Sequence, residues 1–169
     1  IFPESIEANS IANIILAEIP EGKNPKDIYE QAKKAGQSKW EQKANEVLNT
    51  IKNDVDEQLW KKQVEDAIEF YAASVPITTD YQSARNRLMK IFAGRKALRD
   101  FKQSEGNNNP KSSLDGRRES VLNTNHHIKG VIDKEQLCAI GLIKRKQGEQ
   151  EKYPSVARIT ADYWIRQIK

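Results

Sequence analysis

The sequence predicts a mainly α protein, with one N-terminal strand that has no sheet of its own and a C-terminal region built around a degenerate zinc clip. Three observations carry this. Apolar residues recur at three- and four-residue spacing from Pro25 to Phe101. Ahead of that stretch, Ile11, Ile14, Ile15, Leu16 and Ile19 form a largely β-branched cluster ending at Pro20. Behind it, the segments SSLDGRRES and LCAIGLIKR place Ser112 and Asp115, then Cys138 and Gly141, at the spacing by which paired thiolates close a tetrahedron around zinc.

The N-terminal cluster reads as a buried strand followed by turn residues Glu21 to Pro25. A lone strand leaves its backbone donors and acceptors unpaired, so this one implies a sheet supplied from elsewhere. Residues 1–24 are therefore expected to be the edge of an upstream domain, residues 25–103 a helical domain, and residues 104–169 the clip region with short helices.

Within the helical domain, Asp27 to Ala35 predicts a short helix closed by Gly36, with Ser38 and Glu41 as a capping box for the next. That next helix carries Trp40, Ala44, Val47, Leu48, Ile51 and Val55 on one face. Another puts Leu59, Trp60, Val64, Ala67, Ile68 and Tyr71 on its apolar stripe and stops before Pro76, which disfavours helical geometry at Val75. Both tryptophans read as core anchors, because each sits on an apolar stripe. Asp80 is expected to cap a further helix with Tyr81, Ala84, Leu88, Ile91, Phe92 and Leu98 inward, and Arg95, Lys96 and Arg99 complement the dipole at its end.

Ser104 to Pro110 is a polar loop and the best internal boundary. A second irregular stretch, Asn123 to Gly130, holds His126 and His127. Asp133 with Gln136 predicts the start of a helix running from about Lys134 to Lys146. After a polar spacer, Pro154 and Thr160 introduce short helical pieces whose Val156, Ile159, Tyr163, Trp164 and Ile168 return to the core.

The 169 residues carry a net charge of +4, placed unevenly. Residues 1–110 hold 16 Lys or Arg against 17 Asp or Glu, net −1, and residues 111–169 hold 12 against 7, net +5. An excess of this kind attracts phosphate backbone. Arg117, Arg118, Lys144, Arg145 and Lys146 are accordingly the candidate contacts to RNA or to a partner subunit. A solvated surface with no nucleic-acid contact explains the same charges, since no RNP-like or Arg-rich motif accompanies them.

No run approaches the ~20 apolar residues of a membrane-spanning helix, and there is no secretory leader pattern, so a cytoplasmic protein without a membrane partner is expected. The single cysteine rules out an internal disulfide framework and fits a reducing compartment. The sequence holds no adjacent His-Asp pair, G-G-D-D turn, P-loop, G-x-G-x-x-G or G-x-S-x-G. No residue receives a catalytic assignment.

At the clip, only Cys138 keeps a thiol and Gly141 has no ligand atom, so zinc is expected to be absent. Leu114, Val121, Leu122, Leu137, Ile140, Leu142 and Ile143 are expected to pack in its place, with Arg117 or Arg118 pairing Asp115 or Glu119. A competing metal reading uses Asp115, His126, His127 and Cys138, although nothing in their spacing sets a geometry.

The order RDF (Arg99 to Phe101), EG (Glu105 and Gly106), SLDGRRESV, EQLCAIGLIKR and YPSVARITADYWIR (Tyr153 to Arg166) resembles the region after the first palm domain in the large subunit of type III-B, Cmr-type, CRISPR effector complexes. In that family the clip commonly reads C-x-L-C-G-x-R-E and L-C-A-x-C-x-x-K-R and carries zinc; Gly116, Arg118, Glu119, Leu137, Cys138, Lys144 and Arg145 match, while three of the four ligands do not. Upstream, SIANIILAEIP is similar to the family's P-N-R-F-x-A-x-x-P, keeping Asn13, Ala17 and Pro20 but carrying Ala12, Ile14 and Ile15 in place of Pro, Arg and Phe. LWKKQVEDAIEFYAASVP, Leu59 to Pro76, matches a family helix with Trp, Gln and an aromatic.

The resemblance implies a piece of a longer protein. The N-terminal strand would complete a palm-type α+β domain, and the rest would be a helical linker domain. It further implies a parent subunit that makes a nucleotide messenger from ATP with divalent metal on target-RNA recognition. The partners implied are the other Cmr subunits, guide RNA and target RNA. A reading from another class is a stand-alone helical RNA-binding module with a basic C-terminal half.

Overall fold

The computed structural model describes residues 14–78, 80–98, 108–132 and 134–147. It is mainly helical: α1 (Pro25–Ile51), α2 (Glu57–Glu65), α3 (Tyr81–Ala97) and α4 (Ala139–Gln147), with a short 3-10 turn at Lys52–Asp54. Among the described residues no strand forms, and antiparallel pairing is limited to single bridges such as Val55 with Leu122 and Lys111 with Glu119. Of the expected N-terminal strand, residues 14–19 are described, and Ile15 is 74% exposed. The expected helical pieces after Pro154, and Asp133 as a cap, lie outside the described residues.

The chain divides into two compact units, Ile1–Gly36 with Phe70–Arg99 and Gln37–Glu69 with Asp100–Lys169. In the second, α1 contributes Ala44, Val47, Leu48 and Ile51 at helical spacing. Val55, Leu59, Trp60 and Val64 join them, and Val121, Ile128, Leu137, Ala139, Leu142 and Ile143 close the core. Trp60 is 1% exposed, as an anchor should be. Trp40 is half-buried and donates its indole N–H to the Val64 carbonyl at 2.9 Å.

Three helix boundaries differ from the sequence expectation. Gly36 does not close a helix, because α1 is continuous from Pro25 to Ile51 and Ser38 lies inside it. A glycine among strong helix formers costs only about 1 kcal/mol. Its role is steric: a Cβ there would sit 2.7 Å from the Phe70 ring. Next, α2 ends at Glu65 instead of running to Val75, and Ile68 is exposed. The Val64 carbonyl, which a longer helix would offer to the Ile68 N–H, is occupied by the Trp40 indole and by the Ala67 N–H at 3.3 Å. Finally, α4 starts at Ala139, not near Lys134, because the preceding groups are engaged elsewhere. The Glu135 N–H turns back to the Ile132 carbonyl, and Gln136 pairs with Ser113.

In the first unit, Asp80 caps α3 as expected, its carboxylate accepting from the Ser83 N–H at 2.8 Å. The inward set is smaller than the sequence predicts. Ala84, Leu88 and Phe92 are half-buried, whereas Tyr81, Ile91 and Leu98 are exposed. A helix lying on a shallow surface covers one narrow row and leaves its flanks to solvent. The Tyr29 hydroxyl donates to the Phe70 carbonyl at 3.1 Å and fixes the strap that carries Phe70 against Gly36.

Candidate functional site

Two turns meet at the clip. The first is Lys111 to Glu119, where the Ser112 N–H donates to the Arg118 carbonyl at 2.8 Å and the Gly116 N–H to the Ser112 carbonyl at 2.9 Å. Gly116 has φ +60°, a conformation that glycine adopts without steric cost. Asp115 sits inside this turn, and one carboxylate oxygen accepts from the Arg117 and Arg118 N–H groups at 3.0 and 3.2 Å.

The second turn leads into α4. Cys138 is its cap: the sulfur accepts from the Gly141 N–H at 3.4 Å, three residues on. Ser113 and Gln136 clasp the turns, the Ser113 N–H donating to the Gln136 carbonyl at 2.7 Å and the Gln136 N–H to the Ser113 hydroxyl at 3.1 Å. Across the join, the Cys138 thiol faces the second Asp115 oxygen at 3.8 Å.

Burial pulls the Asp115 carboxyl up, but it is outweighed by the Arg117 and Arg118 N–H groups, the Arg118 guanidinium at 3.5 Å and the Cys138 thiol. The carboxyl is held below its ordinary range. Gly141 faces a side chain instead of a cavity: a Cβ there would lie 3.2 Å from a Leu114 methyl and 3.7 Å from the Cys138 sulfur. Ser112 is 2% exposed, and its hydroxyl has no partner among the described residues. The positions Ser112, Asp115, Cys138 and Gly141 are thus gathered on two facing turns, with a donor set that does not fit tetrahedral zinc.

Among the described residues no group of three or more His, Cys, Asp or Glu is placed to hold a metal ion. The constellation of Asp115, His126, His127 and Cys138 is therefore not assembled there. His127 is held by its N–H to the Asp54 carboxylate at 2.8 Å, on the loop that Asn123 also ties to Asp54 and Asn53. His126 buries Nδ1 without a partner among the described residues.

The five candidate cations divide by role. Arg118 pairs with Asp115, and Lys146 donates to the Lys129 carbonyl at 3.0 Å. Arg145 forks onto Glu135, one bond being 2.7 Å, and also reaches the Gly130 carbonyl at 3.2 Å. The hydrogen bond from Arg145, opposed by burial, holds the Glu135 carboxyl below its ordinary range, and the same bond raises Arg145. Arg117 and Lys144 are exposed and make no ion pair among the described residues.

One residue that sequence reasoning left unassigned holds the site to α2. Gln63 is buried at 8% exposure; its amide N–H donates to the Glu119 carbonyl at 2.8 Å and its oxygen accepts from the Ala139 N–H at 2.9 Å. It ties the first turn to the start of α4. A polar residue on the buried side of an otherwise apolar stripe was the available signal.

No helix among the described residues is long and apolar enough to cross a membrane. No family model, curated protein or solved structure matches this chain.

Proposed function

We propose that this chain is a non-catalytic structural segment of the large signalling subunit of a type III-B CRISPR effector, and that its clip is a former zinc site now held without metal. The reading rests on the sequence order of the RDF, SLDGRRESV, LCAIGLIKR and YPSVARITADYWIR segments. The observation that supports it is the pair of facing turns carrying Ser112, Asp115, Cys138 and Gly141. In this reading the two turns take the place of a four-ligand clip, with a carboxylate–guanidinium pair and a leucine methyl where donors would be. In this reading the segment positions the catalytic palms of the parent protein and meets neighbouring subunits and RNA, through Arg117 and Lys144 among others. ATP and divalent metal belong to the parent and not to this segment.

The test is to tag the full-length gene product that carries this segment, express it with its genomic neighbours and purify it. Co-purification of Cmr-type subunits with guide RNA is expected. A protein that elutes without other subunits yet binds RNA would replace this reading with the stand-alone RNA-binding module.

A further inference from the structure

Between Asp80 and Asp100 the chain has six Lys or Arg and no Asp or Glu. Five of them, Arg85, Arg87, Lys90, Arg95 and Lys96, lie on α3, a helix with no buried residue. Counted along the N-terminal 110 residues this excess vanishes, because acids outside the α-helices, such as Glu18, Glu21, Asp54, Asp56, Asp66 and Glu69, offset it. On the folded chain it is concentrated on one helix about 25 Å long.

The half-buried row Ala84, Leu88 and Phe92 defines the inward side of α3. Arg95 and Lys96 lie over the Tyr71 and Phe92 rings, at 5.9 and 5.7 Å. Lys90 lies on the opposite side and Arg87 on the flank next to it, spaced i to i+3 and so about 5–6 Å apart at Cβ. Together with Arg85, they make no ion pair among the described residues. That side also carries Ser83, Asn86, Ala93, Gly94 and Ala97, with no acid among them, and nothing lies within 4 Å of a Cβ built on Gly94. This is a pair of cations beside small and uncharged side chains, open at Gly94.

Like charges spaced along a helix destabilise it in isolation, so the arrangement favours a polyanion that neutralises them. A membrane surface fits poorly. An interfacial helix needs one wide exposed apolar face, whereas Met89 and Ile91 lie on opposite flanks and the apolar row is turned inward. An acidic protein helix would need its carboxylates in register with cations that instead point all round the axis. A phosphate backbone has one charge per nucleotide and no fixed register, and arginine forks match phosphate oxygens.

We infer that α3 is a sequence-independent docking ridge for single-stranded nucleic-acid backbone, centred on Arg87 and Lys90. The inference stands on charge placement in α3 and does not depend on the effector reading. Whether the backbone is RNA or DNA is decided by the experiment.

The intact protein is titrated with a labelled oligonucleotide of arbitrary sequence, made once as RNA and once as DNA, over a series of salt concentrations. The double variant Arg87→Gln/Lys90→Gln removes two contacts at exposed positions, and circular dichroism checks that helicity is kept. Binding should weaken roughly tenfold or more near 0.1 M salt, and the slope of log affinity against log salt should fall by about 1.4. Arg87→Lys should keep the slope. Equal RNA and DNA binding assigns backbone charge alone, and a preference for RNA adds 2′-hydroxyl contacts. An unchanged slope in the double variant overturns the inference, as does failure of the parent protein to bind either oligonucleotide. Loss of binding to phosphatidylserine vesicles or to polyglutamate, with nucleic-acid binding untouched, overturns it in favour of a membrane or an acidic protein.

Discussion

Gln63 shows how much a single buried amide can hold. Its two hydrogen bonds reach the Glu119 carbonyl and the first free N–H of α4. Gln63→Leu removes both bonds and takes the acceptor from the buried Ala139 N–H, at about 1–3 kcal/mol. The urea midpoint should fall accordingly, and Gln63→Glu should fall too, because a carboxylate keeps the bond to Ala139 but faces the Glu119 carbonyl with another acceptor. A midpoint unchanged in both variants would remove Gln63 from this role. The acids of the clip region set a pH dependence. Asp115 and Glu135 are both held below the ordinary carboxylate range in the folded chain. Their contribution is complete above the unfolded carboxylate pKa and is lost as pH falls through their folded values. Thermal stability should therefore be level near neutrality and drop in acid. Glu135→Gln should start less stable and lose less on acidification, and an acid drop as steep as that of the parent protein would count against the assignment.

Two of the helical glycines, Gly36 and Gly94, separate propensity from packing at the level of the element. Both sit inside helices where alanine would be favoured by up to about 1 kcal/mol. At Gly94 a Cβ meets nothing, so Gly94→Ala should stabilise the protein by about 0.5–1 kcal/mol. At Gly36 it would lie 2.7 Å from Phe70, whose backbone is pinned by Tyr29, so Gly36→Ala should destabilise by about 1 kcal/mol net. Melting temperatures moving in the same direction would refute this contrast. The same competition explains the short α2. Its hydrophobic stripe continues past Glu65 in the sequence, but the Val64 carbonyl is claimed by Trp40, a partner from α1 that local periodicity does not see.

For the molecule as a whole, the clip should depend on packing and not on metal. Leu137, Leu142, Ile143 and Val121 are buried beside it, Leu122 and Ile140 are half-buried, and Leu114 stays largely exposed while its methyl covers Gly141. Elemental analysis should find no stoichiometric zinc, and a chelator should leave the melting temperature unchanged; a chelator-induced drop would restore a metal to the site. The N-terminal segment is predicted to behave in the opposite way and to need a partner. With Ile15 exposed and no sheet among the described residues, the isolated segment should associate with rising concentration in sedimentation experiments. Ile15→Lys should reduce that association, and a strictly monomeric parent segment would contradict it.

By itself the sequence determined the mainly helical character, the apolar face of α1 from Ala44 to Ile51, the burial of Trp60 and the Asp80 cap, because each follows from spacing or capping chemistry within a few residues. Only the tertiary structure decided where helices stop, since the carbonyl of Val64 and the N–H groups before α4 answer to partners distant in sequence. It likewise decided which cations are spent on structure. Arg118 and Arg145 are drawn to Asp115 and Glu135, while Arg87 and Lys90, hidden in a near-neutral average, stand free on one helix. Charge summed along a chain carries no information about which acid folds back onto which base, and that geometry is set by packing alone.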